Sequence, residues 1–342
     1  MMQNNLIPVT IAGIGRYVPE TVITNDDIAK IVDTNDEWIV SRTGIRQRRV
    51  VSGNETAVSL AINAAKDALA FVGMQPEQLD LIVVATSLPD SLYPSTACEV
   101  QAGIGAVNAV GFDIVAACSG LVFGMNIAKS FISSGTYENV LLIGVDIHTR
   151  FLDWTDRSTC ILFGDGAGAM VVKKSDDGIN DILSVDVYSD GTKANDLRIP
   201  VNGKNCPLVE PKDEKKQFVS MNGREIYKFA VNVVPESILS SLANAELSIE
   251  NLDFLVPHQA NMRIVSAITD RLNLNPEQVI TNLDKYGNTS TASIPIALSE
   301  ALENNKIPDS SILALCGFGA GLTWGTSIVR WRAKDKREFS NK

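Results

Sequence analysis

Cys118 carries the first chemical hint in this sequence. It sits in Ala116-Ala117-Cys118-Ser119-Gly120, between the apolar run Gly111 to Val115 and a helix-like stretch from Leu121 to Ile132. A strand that turns sharply into a helix at a small-residue corner puts the corner side chain at the helix N-terminus, where unpaired N–H groups and the macrodipole favour an anion. A thiol placed there is expected to act as a nucleophile.

Two further groups complete a chemical set. His258 lies in Val256-Pro257-His258-Gln259-Ala260-Asn261 at a strand end, and Asn288 lies in Tyr286-Gly287-Asn288-Thr289-Ser290-Thr291, a polar loop opening a helix. In one cleft, Cys118 would attack a carbonyl carbon while His258 Nε2 and the Asn288 amide donate hydrogen bonds to a developing oxyanion or enolate. Such a buried donor is typically worth ~3 kcal/mol in the transition state. Each residue also has a plain alternative: a small core cysteine, a satisfied structural histidine, a turn asparagine.

A basic cluster, Arg42-Thr43-Gly44-Ile45-Arg46-Gln47-Arg48-Arg49, holds four arginines in eight residues and follows Asp36-Glu37-Trp38-Ile39. Guanidinium groups grip phosphate in forked geometry and Trp38 offers a flat face for a base, so a phosphorylated, nucleotide-like ligand is one reading and a solvated charge run the other.

The elements that must position these groups occur twice. Helix-like Ala57 to Val72 followed by Leu79-Asp80-Leu81-Ile82-Val83-Val84 matches Val234 to Leu242 followed by Leu252-Asp253-Phe254-Leu255-Val256 at an offset of 173. Helix-like Val122 to Ser133 followed by Val140-Leu141-Leu142-Ile143-Gly144 matches Ile294 to Glu303 followed by Ile312-Leu313-Ala314-Leu315-Cys316 at an offset of 172. Two matching offsets argue for a duplicated unit. Adding 172 to Cys118 reaches Ser290, so the Cys118 and Asn288 loops are expected to face each other across a pseudo-dyad.

Short apolar runs alternating with longer amphipathic segments indicate buried, largely parallel strands with helices on their faces, an α/β chain. Polar, turn-rich Lys173 to Asn180 marks the boundary between halves 1–179 and 180–342, and Asn202 to Lys216 is expected to be a surface excursion. Gly164-Asp165-Gly166-Ala167-Gly168-Ala169 formally fits a dinucleotide pattern but runs into Met170-Val171-Val172, a strand, so no helix N-terminus awaits a pyrophosphate. Its partner, Gly317 to Gly325, is also loop-to-strand, and its glycines would let backbone N–H groups approach a ligand closely, as an oxyanion hole requires.

Composition sets outer limits. The chain has 342 residues, 45% hydrophobic and 20% charged, an ordinary globular balance with a net charge of −10 that disfavours nucleic acid as a bulk partner. Five cysteines (98, 118, 160, 206, 316) with no C-x-x-C pair and two histidines support neither a disulfide framework nor a metal site. No apolar run of ~18 residues occurs. The N-terminal residues Met1 to Pro8 lack signal-peptide order, so a cytoplasmic location without membrane contact is expected.

The motifs DEWIVSRTGIRQR from Asp36, DIVAACSG from Asp113, WTDRSTCILFGDGAGA from Trp154, VPHQANMRI from Val256, YGNTS from Tyr286 and GFGAGLTWG from Gly317 together resemble the 3-oxoacyl-[acyl-carrier-protein] synthase III family over nearly the whole chain. The resemblance implies a duplicated thiolase-like fold of five layers, αβαβα. It also implies the initiating condensation of type II fatty acid synthesis, joining a short acyl-CoA primer to malonyl-acyl carrier protein without any cofactor.

By the same resemblance, Cys118 takes the acyl group as a thioester, with the N–H groups of Cys118 and Ala320 as oxyanion hole. His258 and Asn288 hold the malonyl thioester oxygen during decarboxylation, and Phe318 helps exclude water. Trp38, Arg42, Arg157 and Asn261 would bind CoA. Lys228, Gln259 and Arg263 would meet the carrier protein, with Arg224 and Arg271 as additions and Asp270 departing from a basic residue seen in some relatives. Tyr93, His148 and Phe163 would shape the acyl pocket. Tyr93 would reach across a homodimer interface, and His148 stands where leucine is usual, so an acetyl-sized primer is expected with larger or branched ones open.

Histidine counting separates this pattern from elongating synthases, which pair Cys with two His, and from thiolases, which add a second catalytic cysteine. A 3-hydroxy-3-methylglutaryl-CoA synthase would need a catalytic glutamate, and Glu55 and Glu99 sit in no such motif. A secondary-metabolite acyltransferase or ketosynthase of the same fold is the runner-up. A papain-like hydrolase and a non-catalytic scaffold are the alternatives from other classes.

Overall fold

A computed structural model describes residues 6–201, 206, 208 and 217–332 of the chain. The expected excursion at 202–216 lies, apart from 206 and 208, outside the described residues.

Two sheets organise the molecule. The first has the strand order Val9–Tyr17, Asp165–Lys174, Asn139–Ile147, Leu81–Ala85, Val110–Ile114, and the second has Ile182–Ser189, Thr323–Trp331, Ser311–Gly319, Phe254–Pro257. A parallel bridge from Leu255 to Val279 stands where a fifth strand would extend the second sheet. Helices Gly120–Ser133 and Ser293–Glu303 pack between the sheets, their Leu121, Met125, Ile294 and Leu298 sharing one core with residues of both. Helix Ala57–Val72 covers the outer face of the first sheet, and helices Gly223–Asn244 and Met262–Arg271 cover the second. The result is five layers, αβαβα, around two buried sheets.

Local sequence explains these elements. Thr56 and Ser59 form a capping box that starts Ala57–Val72, and Gly73 ends it at φ 69°. That helix turns a small-residue face, Ala61, Ala64, Ala65 and Ala68, toward the sheet. Gly15 makes the close approach possible, since a Cβ there would stand 2.2 Å from the Ala68 nitrogen.

The sheets are mixed where mostly parallel strands were expected. Leu81–Ala85 runs parallel to both Val110–Ile114 and Asn139–Ile147, but Asp165–Lys174 is antiparallel to both its neighbours. The glycine motif beginning at Gly164 opens this strand, and Gly317 and Gly319 close the strand Ser311–Gly319, so neither motif offers a helix N-terminus.

The internal repeat is exact in register but shifted by one residue from the 172 expected around Cys118. Parallel pairs Leu81↔Val140 and Phe254↔Leu313 correspond at 173, as do the 3₁₀ turns Ala117–Ser119 and Ser290–Ala292. The counterpart of Cys118 is therefore Thr291, and Ser290 corresponds to Ala117. Both of the latter sit in the left-handed region, at φ 52° and 44°. The two turns share one backbone device, and a side-chain pattern alone could not fix its phase.

Candidate active site

The turn at Cys118 lies where the edge strand Val110–Ile114 gives way to the central helix Gly120–Ser133. Glycines of the other half close on it. A Cβ on Gly317 would stand 2.8 Å from Ser119 Cα, and one on Gly319 would stand 3.0 Å from the Cys118 nitrogen and 3.3 Å from Sγ. Thr323 ties the two segments together: its Oγ1 donates to Ala320 O at 2.8 Å and approaches Ala116 O at 3.2 Å, while Ser119 Oγ donates to it at 2.8 Å. The backbone on both sides of the thiol is thus fixed before any ligand arrives.

Cys118 is 6% exposed, and burial pushes its thiol up to about 12. The hydrogen bond from Ser290 Oγ to Sγ, 3.2 Å, and the cysteine's own N–H pull the other way, whereas Asp146 adds to the rise. The helix-terminus argument alone points downward; desolvation outweighs it here. At rest the Cys118 thiol is neutral, and the Ser290 hydroxyl is the main group that would stabilise its anion.

His258 and Asn288 meet Cys118 in one cavity of about 1230 Å³, which Phe318, Gly319 and Ala320 also line. Ser293 Oγ lies 2.8 Å from His258 Nδ1 and accepts from the Gln259 N–H at 3.3 Å. With the Ser293 proton directed at Nδ1, the imidazole carries its own proton on Nε2. Burial, with the neighbouring His148, lowers the His258 pKa to about 3 against a backbone hydrogen bond with Ser290. The ring is a neutral donor. Asn288 Oδ1 accepts from the Ser290 N–H at 2.8 Å, which turns its amide NH₂ toward the cavity, and its backbone is pinned on both sides, to Leu162 O at 2.9 Å and Gly164 N at 3.0 Å. Phe318 packs edge-on against His258 at 5.2 Å.

The basic cluster is split by its secondary structure. Gln47–Arg49 is a short strand pairing with Val22–Thr24, and alternation buries Arg48 completely. Its guanidinium donates to Asn25 Oδ1 at 2.9 Å and Ile161 O at 2.8 Å, and burial lowers its pKa to about 10. Arg49 donates to the carbonyls of Pro19 and Glu20. Arg42 alone of the four lines the cavity, with its guanidinium 5.1 Å from the Trp38 ring; that of Arg157 is 4.5 Å from the same ring. Asn261 caps the helix Met262–Arg271 and lines the cavity beside Arg224 and Arg263.

One expected position is corrected. Gln259 is 1% exposed, donates to Pro257 O at 2.7 Å and Ile280 O at 3.2 Å and accepts from the Asn282 N–H, so it braces the histidine loop and cannot touch a partner protein. Tyr93 is 86% exposed and lies outside the lining of this chain's own cavity. Lys228 is on the surface, ion-paired with Glu225 at 2.7 Å. His148 and Phe163 do line the cavity, stacked at 4.6 Å. Ser290, Ser293 and Thr323 were invisible as site residues. Only Ser290 had a signal, its place in the loop that the repeat sets against Cys118.

A thiol held against backbone N–H groups, with two neutral hydrogen-bond donors across one cavity, on a duplicated thiolase-like fold, defines an acyl-transferring condensing enzyme. The sequence matches the family described as 3-oxoacyl-[acyl-carrier-protein (ACP)] synthase III over residues 112–191, and its C-terminal part over 242–331. It is 48% identical over 324 residues to beta-ketoacyl-[acyl-carrier-protein] synthase III of Synechocystis sp., covering 94% of this chain and 97% of that protein. The crystal structure of 3-oxoacyl-[acyl-carrier-protein] synthase III from Aquifex aeolicus matches with a TM-score of 0.88 at 44% identity, over 94% of this chain and 100% of that one. A priming beta-ketosynthase from a polyketide biosynthetic pathway matches with 0.89 at 32% identity, over 96% and 97%. The chain belongs to the 3-oxoacyl-[acyl-carrier-protein] synthase III family.

Proposed function

We propose that this protein, an initiating condensing enzyme of fatty acid synthesis, works through an acyl-Cys118 intermediate in two half-reactions. The supporting observation is the convergence of Cys118, His258 and Asn288 on one cavity, with Nδ1 and Oδ1 already engaged so that both donors face inward. In the first half-reaction Cys118 Sγ attacks the carbonyl carbon of a short acyl-CoA, acetyl-CoA being the expected primer. The N–H groups of Cys118 and Ala320 take the oxyanion, the carbon–sulfur bond to CoA breaks, and the thiol proton ends on CoA. Trp38, Arg42, Arg157 and Asn261 hold the CoA, and Phe318 keeps water from the thioester.

In the second half-reaction malonyl-acyl carrier protein places its thioester oxygen between His258 Nε2–H and the Asn288 amide. The bond to the carboxylate breaks, CO₂ leaves, and the electron pair becomes an enolate stabilised by those two donors. The enolate carbon attacks acyl-Cys118, and the cysteine thiolate departs. The chemistry needs no cofactor, since acyl-CoA is a substrate. Neutral donors suit this step: a cationic imidazole would pair with the malonyl carboxylate and stabilise the ground state.

Lys228 and Arg263, with Arg224, form the basic rim for the acidic carrier protein. Leu92, Tyr93, Val107, Val110 and Val115 are exposed beside the edge strand Val110–Ile114, a surface suited to a homodimer in which Tyr93 approaches the partner's cavity. Residues 1–179 and 180–342 form the two duplicated halves, the first carrying the nucleophile. No helix among the described residues is long and apolar enough to cross a membrane, and a cytoplasmic location fits the substrates. A priming role in polyketide synthesis is the second reading, favoured by the likeness to the priming ketosynthase. A panel of acyl-CoAs and carrier proteins separates the two.

The test is intact-protein mass spectrometry after acetyl-CoA, with and without malonyl-acyl carrier protein. Cys118→Ser should show no acyl adduct, whereas His258→Ala and Asn288→Ala should acylate and then fail to condense. Loss of acylation in all three variants alike would overturn the division of labour.

A further inference from the structure

His148 adds a polar ring to the lining of the cavity around Cys118, apart from His258 and Asn288. Strand Asn139–Ile147 ends in the turn His148–Phe151, and alternation puts Gly144, Asp146 and His148 in one row along it. Gly144 packs on Thr291, where a Cβ would stand 2.6 Å from the Thr291 carbonyl oxygen, so this row faces the paired catalytic turns. Asp146 is fully buried. Its Oδ1 accepts from Thr86 Oγ1 at 3.2 Å and from the N–H groups of Ser87 and Leu88 at 2.9 and 3.2 Å, while Oδ2 has no partner.

His148 is 8% exposed and lies flat on Phe163, 4.6 Å away and 4° from parallel, and both rings line the cavity that holds Cys118. Its Nδ1 is buried in the wall without a hydrogen-bond partner. That leaves Nε2 as the ring nitrogen at the lining surface. Burial lowers the pKa of the ring against the pull of Asp146, so it stands neutral. A neutral Nε2 either donates or accepts. A hydroxyl satisfies both cases, a carbonyl oxygen only one and a methyl group neither.

We propose that His148 is a specificity-determining residue that lets this cavity accept short acyl-CoA primers carrying a hydroxyl group on the acyl chain, through a hydrogen bond to Nε2. The inference rests on the acyl-Cys118 reading above and names a substrate class for it. The step is the same thioester exchange: the Cys118 sulfur–carbon bond forms, the CoA sulfur–carbon bond breaks, and the thiol proton passes to CoA. An apolar wall would only desolvate the hydroxyl, whereas a site that pairs it removes that cost.

Single-turnover acylation of Cys118 by butyryl-CoA and by its 2-, 3- and 4-hydroxy analogues, followed by mass spectrometry, tests this directly. For the wild-type protein at least one hydroxybutyryl isomer should acylate within about tenfold of butyryl, and His148→Phe, which keeps the stack on Phe163, should lower that ratio by roughly tenfold. His148→Leu offers the same comparison if the Phe variant does not fold, and His148→Gln should keep most of the wild-type ratio. Rejection of every hydroxy isomer by the wild type, or a ratio unchanged without the imidazole, overturns the proposal. Acetyl-CoA is the control for the parent reading: failure of acetyl transfer sinks the acyl-enzyme itself, while normal acetyl transfer without a hydroxyl effect sinks only this inference.

Discussion

Removing the Ser290 hydroxyl should slow every reaction that needs the Cys118 thiolate. The hydroxyl donates to Sγ at 3.2 Å inside a site that burial has already pushed up to about 12. A hydrogen bond to a charged acceptor is worth about 1.5–3 kcal/mol, which corresponds to roughly one to two pKa units. Sulfur is a weak acceptor, so the lower end applies and Ser290→Ala should cut the thiolate fraction about tenfold. The assay is alkylation by iodoacetamide, read on the Cys118 peptide because Cys98 and Cys206 are exposed and will react as well. Below the thiol pKa the rate should climb with pH in both proteins, the variant running about tenfold lower throughout. Thr291→Ala is the control, since Thr291 Oγ1 has no partner and no bond to the sulfur. Equal rates in Ser290→Ala and the wild type would refute the claim that this hydroxyl stabilises the anion.

The decarboxylation half-reaction should be flat from about pH 8 to 5, because a His258 pKa lowered to about 3 leaves the ring neutral throughout; a loss with a midpoint near the ordinary histidine value would show a titrating donor. Arg42→Ala and Arg157→Ala should each raise the KM for acyl-CoA several-fold with smaller effects on kcat, measured by initial rates. Gln259→Ala should lower Tm through lost buried hydrogen bonds, about 1–3 kcal/mol, and leave carrier-protein affinity unchanged, while Arg263→Glu should weaken that affinity with little change in Tm. Calorimetry with a carrier-protein titration distinguishes the two.

Much of this was legible in the chain, and the gaps have physical causes. Helix Ala57–Val72 was readable to the residue because its caps and alanine face lie in local sequence. Helix Gly223–Asn244 was read short, from Val234 only, and its interior Pro235 did not end it. The repeat's offset of 173 holds, and the 172 used around Cys118 misses by one residue, since apolar runs slide against each other without penalty in a pattern match. The burial of Gln259 and Arg48 could not be read at all. Both are polar residues whose acceptors are carbonyls brought near by the fold, Ile280 O and Ile161 O respectively, and no local pattern announces such a partner. Ser293 escaped for a related reason: its role comes from facing His258 across 35 residues of chain.

The corrected phase of the repeat clarifies how the site divides its work. Each half contributes a 3₁₀ turn with one left-handed residue leading into a central helix, and each turn is packed against a glycine of the opposite half, Gly144 beneath Thr291 and Gly317 beneath Ser119. The counterpart of Cys118 is a threonine, so the second turn keeps the geometry without the thiol. What it supplies comes from the residues just before: Ser290 reaches the sulfur with its hydroxyl, and its N–H orients Asn288. In the proposed mechanism one residue therefore couples the two half-reactions, stabilising the thiolate through its side chain and aiming the decarboxylation donor through its backbone. A substitution at Ser290 that preserves the left-handed backbone should impair acylation while leaving Asn288 in place, and one that disturbs the backbone should impair both.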